Sequence, residues 1–101
     1  MATPEPADWR TLLVKNSPKL LEQVTAFQNA ALADGALSAK TKVLMMLLCD
    51  CLLTHHAGAT TLAKRARVLG ASEAEINETL AMAFLMGGVP GLVTGSNAFR
   101  D

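Results

Sequence analysis

The feature that most constrains the fold is the run from Val43 to Leu53, in which only Asp50 is neither apolar nor a cysteine. Wound as a helix, such a run has no broad polar face to turn toward solvent. The helix must therefore be covered on every side, either in the middle of a helical bundle or between subunits. Two adjacent histidines, His55 and His56, follow the run directly. Any functional site in this chain is expected at that end of the helix.

Composition supports a small helical protein that associates with itself. Half of the 101 residues are hydrophobic and only 18% are charged, which is few for a monomeric domain of this size. We therefore expect one domain over residues 1–101 that buries apolar surface between subunits as a homo-oligomer. Nine basic and nine acidic residues cancel, so no nucleic-acid partner is predicted.

The cellular location is predicted from the N-terminal segment and from the two cysteines. Residues 1–7 are rich in proline and alanine and are predicted to form a loose arm, without the pattern of a signal peptide. The central apolar run is far shorter than the ~20 residues that cross a bilayer, so no membrane association is predicted. Cys49 and Cys51 point in different directions on a helix and are not expected to pair. Two free thiols favour the cytoplasm.

The fold class predicted from periodicity is all-α, a compact bundle of five to six helices. Asp8 is expected to cap a helix that ends near Asn16, and Ser17-Pro18 is expected to cap and start the next, which Gly35 ends. Ser38 is expected to cap the central helix. The apolar face predicted for the second helix consists of Leu20, Val24, Phe27 and Ala31.

The C-terminal half has equally clear helix signals. The central helix is predicted to run to about Leu53 and to break or kink around Gly58, and the next helix is predicted to end at Gly70. Ser72 and Glu75 form a capping box. The capping box starts a helix, and one face of that helix is expected to carry Ile76, Leu80, Ala83 and Phe84. Gly87-Gly88 should interrupt it before a last helix at about 90–99, and no segment has the alternation of a strand.

Three segments keep a distinctive order along the chain: Gly-Ala-Leu-Ser-Ala-Lys-Thr-Lys at 35–42, Gly-Ala-Ser-x-x-Glu-Ile at 70–76, and Met-Gly-Gly-x-Pro at 86–90. In this order the chain resembles the carboxymuconolactone decarboxylase and alkylhydroperoxidase D superfamily over about residues 18–98. The resemblance implies an all-helical subunit that assembles into trimers or hexamers.

The family's catalytic residues do not carry over. In its peroxidase branch a glutamate follows Lys-Thr-Lys, and a Cys-x-x-Cys-x-x-x-His motif follows on the next segment. Aligned without gaps, those four positions fall on Val43, His55, Gly58 and Leu62. The decarboxylase branch keeps only the histidine, which is again Leu62 here. The resemblance therefore implies a pocket lined by these four positions, with a divergent active site.

Three polar or sulfur side chains remain as candidates for catalysis. Cys51 and His55 are four residues apart, the spacing at which an imidazole can activate a thiol; the alternative is that both cysteines are small buried hydrophobes. His55 is expected to act as a general base, or else to be hydrogen-bonded at a helix junction. Asp50 is expected to form an ion pair or, less simply, to take part in proton transfer. The basic partners considered for Asp50 are Lys40, Lys64, Arg65 and Arg67.

His56 points about 100° away from His55 on a helical wheel and is expected to face solvent or to cap a helix. Because Asp50, Cys51, His55 and His56 do not converge on one face, we predict no metal site and no cofactor. Three functions fit these residues. They are a divergent small-molecule enzyme based on His55, a weak thiol peroxidase based on Cys51 and His55, and a non-catalytic oligomer that binds a small-molecule ligand or acts as a scaffold.

Overall fold

The structure, a computed structural model, describes residues 8–101, and the loose arm predicted for residues 1–7 lies outside that range. It consists of five α-helices followed by one turn of 3₁₀ helix, with no strand in residues 8–101. The all-α prediction is confirmed. The elements are α1 (Asp8–Asn16), α2 (Pro18–Leu32), α3 (Ala39–Leu52), α4 (His56–Val68), α5 (Glu73–Gly95) and the 3₁₀ helix (Ser96–Phe99).

The chain divides into two compact units, the first ending at Ala33. In the first unit α1 packs against α2, and Arg10 Nη2 donates a hydrogen bond to Gln28 Oε1 at 3.1 Å. Pro18 starts α2 as predicted, but the Ser17 hydroxyl makes no capping hydrogen bond. The helix ends at Leu32, where extended backbone at Ala33 stops it, rather than at Gly35. No side chain of α2 is buried, so its predicted apolar face has no core within this unit.

The second unit, Asp34–Asp101, contains the core, and α3 lies at its centre against α4 and α5. One face of α3 is fully enclosed by the other two helices. The buried hydrophobic residues of these helices are Val43, Leu47 and Cys51 on α3, Ala59, Leu62, Ala63 and Ala66 on α4, and Ile76, Leu80 and Ala83 on α5. Three of the four buried residues of α4 are alanines.

The opposite face of α3 is open to solvent within this chain. Met45, Met46 and Leu52 are 50%, 36% and 39% exposed, and Cys49 is exposed as well. We expected α3 to be covered on all sides. The chain itself covers only one side of this helix.

The boundary between α3 and α4 is set by a left-handed residue. Thr54 has a φ of 60°, a conformation that β-branched residues rarely adopt, and it ends the helix. His55 then donates its backbone N–H to Asp50 O at 2.9 Å, and α4 begins at His56. The predicted break around Gly58 was therefore placed too late, because Gly58 lies inside the first turn of α4.

The start of α5 is as predicted. Ser72 Oγ accepts from the Glu75 N–H at 3.1 Å, and Glu75 Oε1 accepts from the Ser72 N–H at 2.9 Å. Lys40 of α3 adds an ion pair to the same Glu75 carboxylate at 3.0 Å. This ties the first turn of α3 to the first turn of α5.

The interruption predicted at Gly87-Gly88 is also present. Gly88 has a φ of 68° and kinks α5, and Pro90 follows in the next turn. The second half returns so close to the first that a Cβ on Gly91 would lie 2.7 Å from Ala83 O. A short 3₁₀ helix replaces the last four residues of the helix predicted at 90–99. Phe84 is 47% exposed and does not join the buried face of α5.

One segment of residues 8–101, spanning 73–99, is long and apolar enough to cross a membrane by length and composition. The sequence prediction rested on the longest uninterrupted apolar run, which lies in α3, and polar residues interrupt the segment 73–99. A core helix of a water-soluble bundle passes the same test, and this segment contains a sharp kink and a face packed on α3. It is weak evidence for a membrane span, and the cytoplasmic location remains a prediction.

Candidate functional site

The most distinctive polar contact of the second unit joins Asp50 and His55 across the break between α3 and α4. Asp50 Oδ1 lies 3.0 Å from His55 Nδ1. The Asp50 side chain is 22% exposed and the His55 side chain is 59% exposed. Because Thr54 turns the chain back at this point, the imidazole meets the last turn of α3 instead of continuing the helix.

The chemistry of the two groups fixes where the proton lies on His55. An ionised carboxylate only accepts hydrogen bonds, so Nδ1 must carry the hydrogen that joins the ring to Asp50. In the neutral ring the lone pair is then on Nε2. An exposed imidazole with that lone pair free, and with its other nitrogen held by a carboxylate, is the arrangement of an oriented general base.

Gly58 makes room for this pair. An added Cβ at Gly58 would overlap Asp50 Oδ2 and lie 2.9 Å from Asp50 Cγ, so only glycine leaves the carboxylate in place. Gly58 is the third residue of α4, and the carboxylate therefore lies beside the first turn of that helix. The positive end of the helix dipole favours a negative charge there.

The basic partners predicted for Asp50 were wrong. Lys40 pairs with Glu75 at 3.0 Å, and Arg67 pairs with Glu73 at 2.8 Å. The Arg67 hydrogen bonds hold the pKa of Glu73 below its usual value, and the capping bond from Ser72 does the same for the pKa of Glu75. The ion pair expected for Asp50 is made with His55, five residues later, at 3.0 Å.

Cys51 lies apart from this pair. Its side chain is fully buried, and a Cβ on Gly95 would lie 3.3 Å from its Sγ. Burial raises the pKa of the Cys51 thiol, and the nearby Asp50 charge raises it further. The contact predicted for Cys51 and His55 from their four-residue spacing required a continuous helix, which the break at Thr54 removes.

The two thiols are therefore expected to differ sharply toward an alkylating reagent at neutral pH. A raised pKa keeps the Cys51 thiol protonated as the pH rises through the range where an ordinary cysteine ionises, and only the thiolate reacts. Native protein treated with iodoacetamide should gain one adduct, which peptide mass mapping places on exposed Cys49. Cys49→Ser should gain none until it is denatured. Equal labelling of both cysteines in the native protein would contradict the buried position of Cys51.

His56 has a set of partners that the sequence did not indicate. Its Nδ1 lies 3.1 Å from Asn97 Nδ2, and its Nε2 lies 3.5 Å from Thr94 Oγ1. Thr60 Oγ1 donates to Asn97 O at 2.9 Å in the same region. The ring remains partly exposed as expected, but it is held by residues near the C-terminus. No periodicity or motif marks Asn97, so sequence reasoning could not have found this contact.

The four family positions differ in their burial. Val43 and Leu62 are 1% and 8% exposed and belong to the core, while His55 lies at the surface. An open groove of about 290 Å³ lies between α3 and α5, and none of the four family positions lines it. Its lining consists of Thr41, Leu44, Met45, Leu48, Glu75, Glu78, Thr79 and Met82.

A search of residues 8–101 for three or more His, Cys, Asp or Glu side chains arranged to hold a metal ion found no such group. A model of the family described as the carboxymuconolactone decarboxylase family matches residues 18–101 of the sequence. Searches of curated proteins and of solved structures found no match.

Proposed function

The chain belongs to the carboxymuconolactone decarboxylase family, and we propose that it is a small-molecule enzyme of that family in which His55, oriented by Asp50, transfers protons. The observation that carries the proposal is the 3.0 Å contact between Asp50 Oδ1 and His55 Nδ1, with more than half of the ring exposed. The thiols and histidine of the family motif are absent, so the proton-transfer group has moved to a different position in the fold.

Decarboxylation gives His55 a defined role. Loss of carbon dioxide breaks a carbon–carbon bond and leaves its electron pair on the remaining molecule, where a proton must be added. His55 Nε2 takes up one proton from the solvent buffer and delivers it to that carbon as the bond breaks, so that the substrate carboxylate and one proton give carbon dioxide and the protonated product. Asp50 stabilises the imidazolium ion that forms in between, and a positioned acid–base group of this kind contributes roughly 10²–10⁴-fold to a rate.

The experiment is turnover of carboxymuconolactone, followed by the release of carbon dioxide and by the mass of the lactone product. His55→Gln should lower kcat by about 10²-fold or more, because an amide cannot transfer the proton. Asp50→Asn should lower kcat less, since it keeps the hydrogen-bonding shape but removes the charge. Glu78→Gln, a loss of one carboxylate on α5, is the matched control and should leave kcat unchanged.

Turnover that survives His55→Gln at the wild-type rate would overturn the proposal. Absence of turnover in the wild-type protein would remove the decarboxylase activity and leave the non-catalytic, ligand-binding function. The thiol peroxidase has less support, because Cys51 is buried and its thiolate is disfavoured.

We also propose that the chain is a homo-oligomer, a trimer or a hexamer as the family resemblance implies. Support comes from the large apolar side chains that α3 and α5 expose, among them Met45, Leu85 and Met86, which are 50%, 71% and 69% exposed. Apolar surface in this amount is typical of a face between subunits. Sedimentation equilibrium that gives the mass of a single chain at all protein concentrations would contradict it.

A further inference from the structure

The side-chain amide of Asn97 has an orientation that its partners determine. Its Nδ2 lies 2.9 Å from Thr94 O, a carbonyl oxygen that can only accept a hydrogen bond. Its Oδ1 lies 2.5 Å from Arg100 Nε, a guanidinium nitrogen that can only donate. Exchanging the nitrogen and oxygen of Asn97 would place two acceptors together and two donors together. The amide nitrogen must therefore be the atom that faces His56.

This orientation fixes the tautomer of His56. Asn97 Nδ2 donates its second hydrogen to His56 Nδ1 across 3.1 Å, so Nδ1 must carry a lone pair. In a neutral ring the hydrogen is then on Nε2, from which it points toward Thr94 Oγ1 at 3.5 Å. Asn97 is only 7% exposed and Thr94 only 1%, so the two partners of the partly exposed His56 ring are themselves buried.

His55 requires the opposite arrangement, because its Nδ1 donates to Asp50. We propose that the two adjacent histidines are held in opposite tautomers. His55 carries its hydrogen on Nδ1 and presents a free Nε2 lone pair, whereas His56 carries its hydrogen on Nε2 and uses its Nδ1 lone pair to bind Asn97. The consequence, which rests on the proposed function of His55, is that His56 is a positioning residue and not a second base.

His56 acts through the first turn of α4. Three side chains of α4 hold the 3₁₀ helix: His56 binds the Asn97 amide, Thr60 Oγ1 donates to Asn97 O at 2.9 Å, and Arg67 Nη1 donates to Ala98 O at 2.9 Å. His56 is the contact at the N-terminal end of the helix, directly beside the N-cap residue His55. Anchoring that turn keeps His55 and Gly58 aligned with Asp50.

Long-range ¹H–¹⁵N correlation NMR of the full chain tests the assignment without any substrate, because protonated and unprotonated ring nitrogens have clearly different ¹⁵N shifts. Spectra are recorded well above the pH at which free histidine titrates, and each ring is identified with His55→Gln and His56→Asn. The expected result is one ring protonated at Nδ1, His55, and one protonated at Nε2, His56. The same tautomer in both rings, or shifts averaged between the two forms in His56, would overturn the proposal.

Asn97→Asp replaces the amide that donates to His56 Nδ1 with a carboxylate of almost the same shape that can only accept from it. The introduced carboxylate can only accept, so the Nδ1 shift of His56 should move to the protonated value while His55 stays unchanged. An unchanged His56 spectrum in this variant would show that Asn97 does not set the tautomer.

Two substitutions of His56 separate positioning from bulk stability. The oxygen of asparagine can replace Nδ1 as the acceptor for Asn97, whereas alanine has no acceptor. In His56→Ala, the Nδ1-protonated form of His55 should fall to a mixture and kcat should drop about 10-fold, roughly the effect of one lost neutral hydrogen bond. His56→Asn should restore both. If His56→Ala keeps the Nδ1-protonated form of His55 and the kcat of His56→Asn, His56 has no positioning role.

The two proposals fail separately. Opposite tautomers in a protein with no turnover would leave the assignment intact and remove the enzyme. If turnover depends on His55 but the His56 shifts are averaged, the enzyme proposal stands and the tautomer assignment fails. If His56→Ala does not fold, the wild-type and Asn97→Asp spectra decide the question.

Discussion

Gly58→Ala is expected to lower kcat of the proposed His55-dependent reaction about 10²-fold while leaving the fold intact. The new methyl group would occupy the position of Asp50 Oδ2, and the carboxylate must rotate away from His55. The ring then loses the partner that fixes its hydrogen on Nδ1, and misplacing a catalytic group by about 1 Å costs a similar factor. Alanine is a better helix former than glycine by up to about 1 kcal/mol, so the free energy of unfolding should not fall much.

Activity and thermal unfolding measured on the same preparation check this prediction, and NMR of His55 gives a readout that needs no substrate. Gly35→Ala is the matched control, because a Cβ at Gly35 meets only Lys42 Nζ at 3.8 Å. That variant should keep wild-type kcat and the wild-type His55 spectrum. A Gly58→Ala protein in which His55 remains protonated at Nδ1 and kcat is unchanged would mean that the Asp50 contact is not needed.

Val43→Glu is expected to destabilise the protein by about 3–5 kcal/mol, the usual cost of an unpaired charge in a core. By the family resemblance, this is the position at which the peroxidase branch is expected to have a glutamate. Val43 is only 1% exposed and lies on the face of α3 that packs on the rest of the second unit. For a small domain, whose total stability is about 5–15 kcal/mol, this is a large fraction.

Urea unfolding of Val43→Glu is compared with that of Val68→Glu, since Val68 is 86% exposed and the same substitution there should change stability by less than about 0.5 kcal/mol. The difference between the two variants should shrink as the pH falls. A buried carboxyl group binds its proton more tightly in the folded state, so acid relieves the penalty. Equal stabilities of the two variants at neutral pH would show that the core still accommodates the family's glutamate.

Local signals in the sequence predicted the helices well because each boundary depends on a few neighbouring residues. The capping box at Ser72 and Glu75 and the kink at Gly88 are both present, since a capping side chain and a glycine act within one or two turns. Ser17 shows the limit of this reasoning. It has the right residue type before Pro18, yet its backbone conformation leaves the hydroxyl without a capping bond.

The candidate site was predicted only in part, because its contacts connect separate elements. His55 and Asp50 were both singled out, but the break at Thr54 that brings them together could not be predicted, since a threonine rarely adopts a positive φ. Asn97 lies 41 residues from His56 and has no pattern that points to it. Pairings over such distances depend on how α4 packs against the C-terminal end.

The tight fit at Gly58 also restricts which residues can occupy this position. By the family resemblance, the second cysteine of the peroxidase motif falls on this position, and any side chain there collides with the Asp50 carboxylate. On this backbone, the redox thiol and the Asp50–His55 pair exclude each other. Gly58→Cys alone should therefore displace the Asp50 carboxylate from His55 without creating a cysteine pair, because position 55 is a histidine.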